Sequence, residues 1–185
     1  MFYESTVTKI LKEAQEIANN GSAKKLHRIK KYKTPFTDYK NQDLQKGFTF
    51  LEQARILTKH HNEDNFCGVI AFANATDIAP SRAKALLAKH CGRKYRRGTP
   101  QKEHLALLIQ MGYTVEYYPV KSKTLITVQR ELKNTKGVFY ISTPSHISCF
   151  KDGVMQDWSN NTYSKSKKSI YYVLKITPTD KVIRY

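Results

Sequence analysis

The chain has 185 residues, a length that suits one compact domain. Its hydrophobic fraction of 40%, with 12 Tyr and 8 Phe, is enough for a core, and no apolar run approaches the roughly 20 residues of a membrane span, which excludes that class. The charge is lopsided: 32 Lys and Arg against 15 Asp and Glu give a formal +17, an excess that favours nucleic acid, an acidic protein face or anionic lipid as partners.

Met1 to Ile10 alternates polar and apolar residues, unlike a secretory leader, whose basic stretch precedes an apolar one. The cysteines, Cys67, Cys91 and Cys149, are odd in number and scattered, which argues against a disulfide framework and for a reducing compartment. The expectation is a cytoplasmic protein in which the sequons at Asn74 and Asn160 carry no sugar.

In chain order, Val7, Ile10, Leu11, Ala14, Ile17 and Ala18 share one helical face, predicting a helix over Phe2 to Ala18 that Asn19-Asn20-Gly21 ends. A basic run from Lys24 to Lys33 follows, broken by Thr34-Pro35. A helix is expected over Phe48 to Leu57, then a charged loop from Lys59 to Asp64. The apolar, small-residue stretch from Cys67 to Ala75 reads as a buried helix, and Ser81 to His90 as another, closed by Cys91-Gly92. After a basic loop from Arg93 to Gly98, Thr99 is placed as the N-cap of a third helix with Pro100 at its first position and Gly112 as its stop.

Beyond Gly112 the pattern changes. Tyr113 to Val120 reads as a strand and Leu125 to Leu132 as a short helix capped by Thr124. Gly137 to Ser142, Ile147 to Phe150, Val154 to Trp158 and Ser169 to Ile176 read as further strands, with Asp152-Gly153 as a tight hairpin signal. Helices first and an antiparallel sheet second make an α+β pattern. The expected organisation is a basic helical N-terminal arm or subdomain over residues 1–60 and a main domain over residues 61–185.

Cysteine attacks only as thiolate, and a helix N-terminus favours that charge through its unpaired N–H groups and macrodipole. Cys67 falls at such a terminus. A nucleophile needs a base, and the base an orienting group. His146 begins a strand, and Asp157 lies on the next strand across the Asp152-Gly153 turn, where hairpin pairing brings an acid to the imidazole. Asn160 and Asn161 are rivals of Asp157 for that role, and Cys149, two positions from Ile147 on one strand face, reads as core.

The segment Asp64-Asn65-Phe66-Cys67-Gly68-Val69-Ile70-Ala71 resembles the nucleophile segment of papain-like cysteine peptidases. Gly137-Val138-Phe139-Tyr140-Ile141, His146-Ile147-Ser148-Cys149-Phe150 and Asp152-Gly153-Val154-Met155-Gln156-Asp157-Trp158 are similar to the His strand, turn and Asp hairpin of that superfamily, above all its compact bacterial and phage branches. The resemblance spans residues 62–176 and implies a papain-like α+β fold, with N-terminal helices packed on a C-terminal antiparallel sheet. It implies Cys67 as nucleophile, His146 as base and Asp157 as orienting acid, with no cofactor. The superfamily's oxyanion-stabilising Gln before the Cys is missing. Among His61, Asn62 and Asn65, Asn62 is the candidate for its place.

A zinc site built from His60, His61, Cys67, His90 and Cys91 matches no familiar ligand spacing, and no Gly-rich phosphate loop occurs. Two basic clusters enclose a tyrosine, Lys30 and Lys31 beside Tyr32, and Arg93, Lys94, Arg96 and Arg97 around Tyr95, a composition suited to phosphates and a stacked base. Lys165, Lys167 and Lys168 make a third positive loop. The leading expectation is a thiol-dependent hydrolase, a cysteine peptidase or isopeptidase acting on a protein or peptide. The alternative is an inactive papain-like module, by analogy a phage-encoded factor, docking on DNA, RNA or an acidic protein. A thiol acyltransferase with the same three residues is the third.

Overall fold

The computed structural model describes residues 4–21, 48–61, 63, 65–158 and 169–183. Among them are six helices, α1 (Glu4–Asn20), α2 (Phe50–His61), α3 (Cys67–Thr76), α4 (Pro80–Cys91), α5 (Gln101–Gln110) and α6 (Leu125–Leu132). Five strands, β1 (Tyr113–Tyr117), β2 (Val138–Thr143), β3 (His146–Lys151), β4 (Val154–Gln156) and β5 (Tyr172–Pro178), form one sheet in the order β1-β5-β2-β3-β4, every neighbouring pair antiparallel. The α+β class is as the sequence predicts, and no helix among the described residues is long and apolar enough to cross a membrane.

Strand alternation sends successive side chains to opposite faces, and both faces are covered. Tyr140, Cys149, Leu174 and Ile176 join the core built with α1 to α5, whereas Phe139, Ile141, Phe150 and Val173 pack on Leu125, Val128 and Leu132 of α6. Helix α3 is buried from Gly68 through Ala75, so it is the central helix, and its small residues admit close neighbours. Each fully buried Leu or Phe around it contributes about 1.5–3 kcal/mol relative to exposure. Val7, Ala14 and Ala18 of α1 and Ala54 of α2 belong to this same core.

Several predicted boundaries move for local reasons. Thr49 and Glu52 cap each other's backbone, which starts α2 at Phe50, and its Lys and His residues continue the helix to His61 rather than ending it at Leu57. Strand β1 stops at Tyr117 instead of Val120, because Pro119 has no N–H to donate. Thr99 does not cap α5: Pro100 occupies that position without a side-chain bond. Thr124 does cap α6, in a reciprocal pair with Thr127. The β3–β4 turn has positive φ at both Asp152 (49°) and Gly153 (85°), the hand that matches strand twist. A Cβ on Gly153 would lie 2.4 Å from the Lys133 carbonyl oxygen, so glycine is required where the turn meets the end of α6.

Candidate active site

Cys67 is the first residue of α3, and Phe66 before it offers no side-chain cap, which leaves the first-turn N–H groups open to the thiol. The thiol is bonded to the His146 side chain and to the N–H groups of Ile147 and Gly68. Burial pushes Cys67 up, but the His146 bond and charge, together with those two N–H groups, outweigh it and hold the thiol below its ordinary value. Cys91 and Cys149 are the contrast: burial pushes Cys91 up to about 12 and Cys149 higher still. Of the three free cysteines, Cys67 alone is not fully buried.

His146 is placed by a tight turn. Thr143 and His146 face each other at the end of the β2–β3 ladder, joined by Pro144 and Ser145. Proline followed by a residue with φ 59° fits a type II turn, which sets the imidazole at the first position of β3 beside the start of α3. Its Nε2 lies 2.7 Å from Asp157 Oδ1, which leaves Nδ1 for the thiol. Burial pushes His146 down, but the Asp157 carboxylate and Cys67 raise it to about 10. Cys67 and His146 thus shift in opposite directions, each favouring the charged form of the other.

Asp157 follows the last paired residue of β4, opposite Ser148 in the extended register. Its second oxygen, Oδ2, accepts a 3.0 Å bond from the buried Ser148 hydroxyl, so both oxygens are committed. Phe66, before Cys67, and Trp158, after Asp157, pack ring to ring with centroids 5.5 Å apart. That contact ties the two ends of the constellation together. Cys67, His146 and Asp157 are thus brought into one chain of contacts. Asn62, Lys30, Lys31, the whole Lys24 to Lys33 run, Lys165, Lys167, Lys168, Asn160 and Asn161 lie outside the described residues.

The thiol opens on a cleft of about 280 Å³. Beside Cys67 and His146, its lining includes Gly68, Gly98, Thr99, Gln101 and His104 from the helical side and Ser142, Thr143, Ser145, Ile147 and Tyr171 from the strands and their turns. A Cβ on Gly68 would come 3.3 Å from Thr99 Oγ1 and 3.7 Å from His104 Nδ1, so the glycine leaves room in the floor. His104 is fully buried, and burial pushes it down to about 3, so it is neutral; its Nε2 sits 3.3 Å from the Tyr140 hydroxyl. Gln101, His104 and Ser148 were not singled out from the sequence. The available signals were the i, i+3 spacing of Gln101 and His104 in one helix turn and the i, i+2 spacing of His146 and Ser148 on one strand face.

The second basic cluster divides. Arg93 is buried, its guanidinium bonded to Glu63 Oε1 at 2.8 Å, to the Lys94 carbonyl and to the Asn65 carbonyl. Its expected role as a nucleic-acid contact does not fit that position, because a cation enclosed by a carboxylate and two carbonyls is withdrawn from the surface. Lys84 also pairs with Glu63, and although burial raises this carboxyl, the two cations hold it below the usual range. Lys94, Tyr95, Arg96 and Arg97 are exposed, with the Arg96 guanidinium over the Tyr95 ring at 5.4 Å. Among the described residues no group of three or more His, Cys, Asp and Glu side chains is arranged to hold a metal ion. Comparison with known protein families, curated proteins and solved structures finds no match to the chain.

Proposed function

We propose that this chain is a thiol-dependent hydrolase of papain-like architecture, acting on amide or isopeptide bonds. The observation that carries the reading is the unbroken series Ser148–Asp157–His146–Cys67, ending in a thiol with a depressed pKa at the floor of an open cleft. An inert structural cysteine is buried in apolar surroundings and shifted upward, as Cys91 and Cys149 are.

In this reading the Cys67 thiolate attacks the carbonyl carbon. The His146 imidazolium gives its proton to the departing amine, leaving a thioester on sulfur. Neutral His146 then takes a proton from water, whose oxygen attacks the thioester and releases the acid and the thiol. Asp157 keeps the ring oriented and favours its charged form. The Gly68 N–H at the start of α3, which already meets the thiol, is the donor offered to the developing oxyanion. The test is covalent capture by a peptidyl chloromethyl ketone, read by intact mass. One adduct on Cys67, absent from a Cys67→Ser variant that melts at the same temperature, is expected. Equal modification of Cys67→Ser refutes the assignment.

A further inference from the structure

The cleft wall at Gly98 and Thr99 is the continuation of a basic turn. The Arg97 N–H donates to the Lys94 carbonyl at 3.1 Å, closing it. Two further bonds fix its backbone: Arg96 N–H to Glu63 Oε1 at 3.3 Å, and Asn65 Nδ2 to the Arg96 carbonyl at 2.9 Å. Glu63 and Asn65 belong to the segment that leads directly into Cys67. One short stretch of chain therefore anchors both the nucleophile and the turn that presents Arg96 and Arg97 to solvent.

The cleft lining contains no Lys, Arg, Asp or Glu, and half of its residues are Gly, Ser or Thr. Such walls admit an extended backbone with a small side chain at the reacting carbonyl, and outside the Cys67–His146 pair they offer no charge to select it. Selection by charge falls to the adjoining turn. We infer that the cleft takes an acidic peptide, with a small residue at the reacting carbonyl and Asp or Glu side chains just outside it, held by Arg96 and Arg97. This substrate class rests on the thiol-hydrolase reading. Nucleic acid suits the turn less well. The Arg96 guanidinium covers a face of the Tyr95 ring that a base would need for stacking, and burial of Arg93 removes one of the cluster's four cations from the surface.

Two tripeptide vinyl sulfones, acetyl-Glu-Glu-Gly and acetyl-Lys-Lys-Gly, test it. The thiolate adds to the vinyl carbon β to the sulfone, forming one S–C bond, and the carbanion left beside the sulfone takes the proton from His146. The readout is the ratio of the two labelling rates at Cys67 on one protein, by intact mass, with iodoacetamide reporting the bare thiol. The acidic probe should react about tenfold faster at about 0.02 M salt, and the ratio should shrink at about 0.5 M. Arg96→Gln with Arg97→Gln should bring the ratio to near one, and Arg97→Gln alone should lower it part-way if the double variant does not fold. A ratio near one in the unaltered protein, beside fast iodoacetamide labelling, overturns the substrate class alone. Slow iodoacetamide labelling of Cys67 overturns the thiolate reading and the substrate class with it. Loss of oligonucleotide binding in the arginine variants, with an unchanged peptide ratio, assigns the turn to nucleic acid and also overturns it.

Discussion

Replacing His146 by Ala removes the group that opposes burial at Cys67. In the intact site, burial pushes the thiol up, and the imidazolium bond and charge, aided by the Ile147 and Gly68 N–H groups, bring it below its ordinary value. Without the ring the upward push dominates. An ordinary thiol is about 3% ionised at pH 7, and each unit by which its pKa rises lowers that fraction about tenfold, of which the greater nucleophilicity of a less acidic thiol returns about threefold. Iodoacetamide labelling of Cys67 at pH 7 should therefore fall several-fold in His146→Ala, by about threefold for each unit the thiol pKa rises. In the unaltered protein the rate should rise as pH passes upward through the depressed Cys67 value and change again as His146 deprotonates near 10. Cys91, pushed up to about 12, and Cys149, higher still, are internal standards that should stay unlabelled in the folded protein. Equal Cys67 rates in the two proteins at pH 7, or labelling spread over all three cysteines, refutes the reasoning.

Asp157→Asn removes the carboxylate that raises His146, so the upper edge of the same pH profile should move down from about 10, with a smaller loss of rate at pH 7 than in His146→Ala. Gly68→Ala places a methyl 3.3 Å from Thr99 Oγ1 on the cleft floor. It should slow peptidyl vinyl sulfones more than iodoacetamide, and equal slowing of both would show that the floor does not touch substrate. Glu63→Gln leaves the Arg93 charge buried without its counterion, and breaking a buried pair in this way costs about 3–5 kcal/mol, measurable as a lowered urea midpoint. Because the Glu63 carboxyl is depressed in the folded state, its contribution is present above about pH 4.5 and is lost as pH falls through the folded value, so the difference between Glu63→Gln and the parent should narrow in acid.

The parts of the fold legible in the sequence are those governed by local rules. Thr124 and Thr127 set the start of α6, Gly92 with φ 64° ends α4, and Asp152-Gly153 makes the hairpin, each through contacts within a few residues. The order Cys67, His146, Asp157 was readable for a similar reason: hairpin register alone puts Asp157 near His146 once the turn is known. Thr99 shows where such reading fails. By local rules it is an N-cap, but its hydroxyl is turned toward Gly68 of α3, and α5 starts at Gln101 after an uncapped Pro100. A cap contributes about 1 kcal/mol, an amount that packing of α5 against its neighbours readily exceeds. Ser148 and Gln101 were passed over because their spacing from His146 and His104 is too common to mark a site until a partner from another element is known.

Charge was the feature the sequence overstated. Counting places Arg93 with Lys94, Arg96 and Arg97 in one surface cluster, and neighbours in sequence look equivalent. The chain sends Arg93 inward because Glu63, thirty residues earlier, is buried in the segment before Cys67 and needs a counterion there. Arg93 also donates to the Asn65 carbonyl, and Asn65, held at φ 62°, bonds back to Arg96. One buried carboxylate thereby fixes a left-handed residue, the basic turn and the approach to Cys67 together. A cation that composition assigns to binding a partner instead shapes the backbone that leads into Cys67, and the turn that carries the two exposed arginines is tied to the same segment.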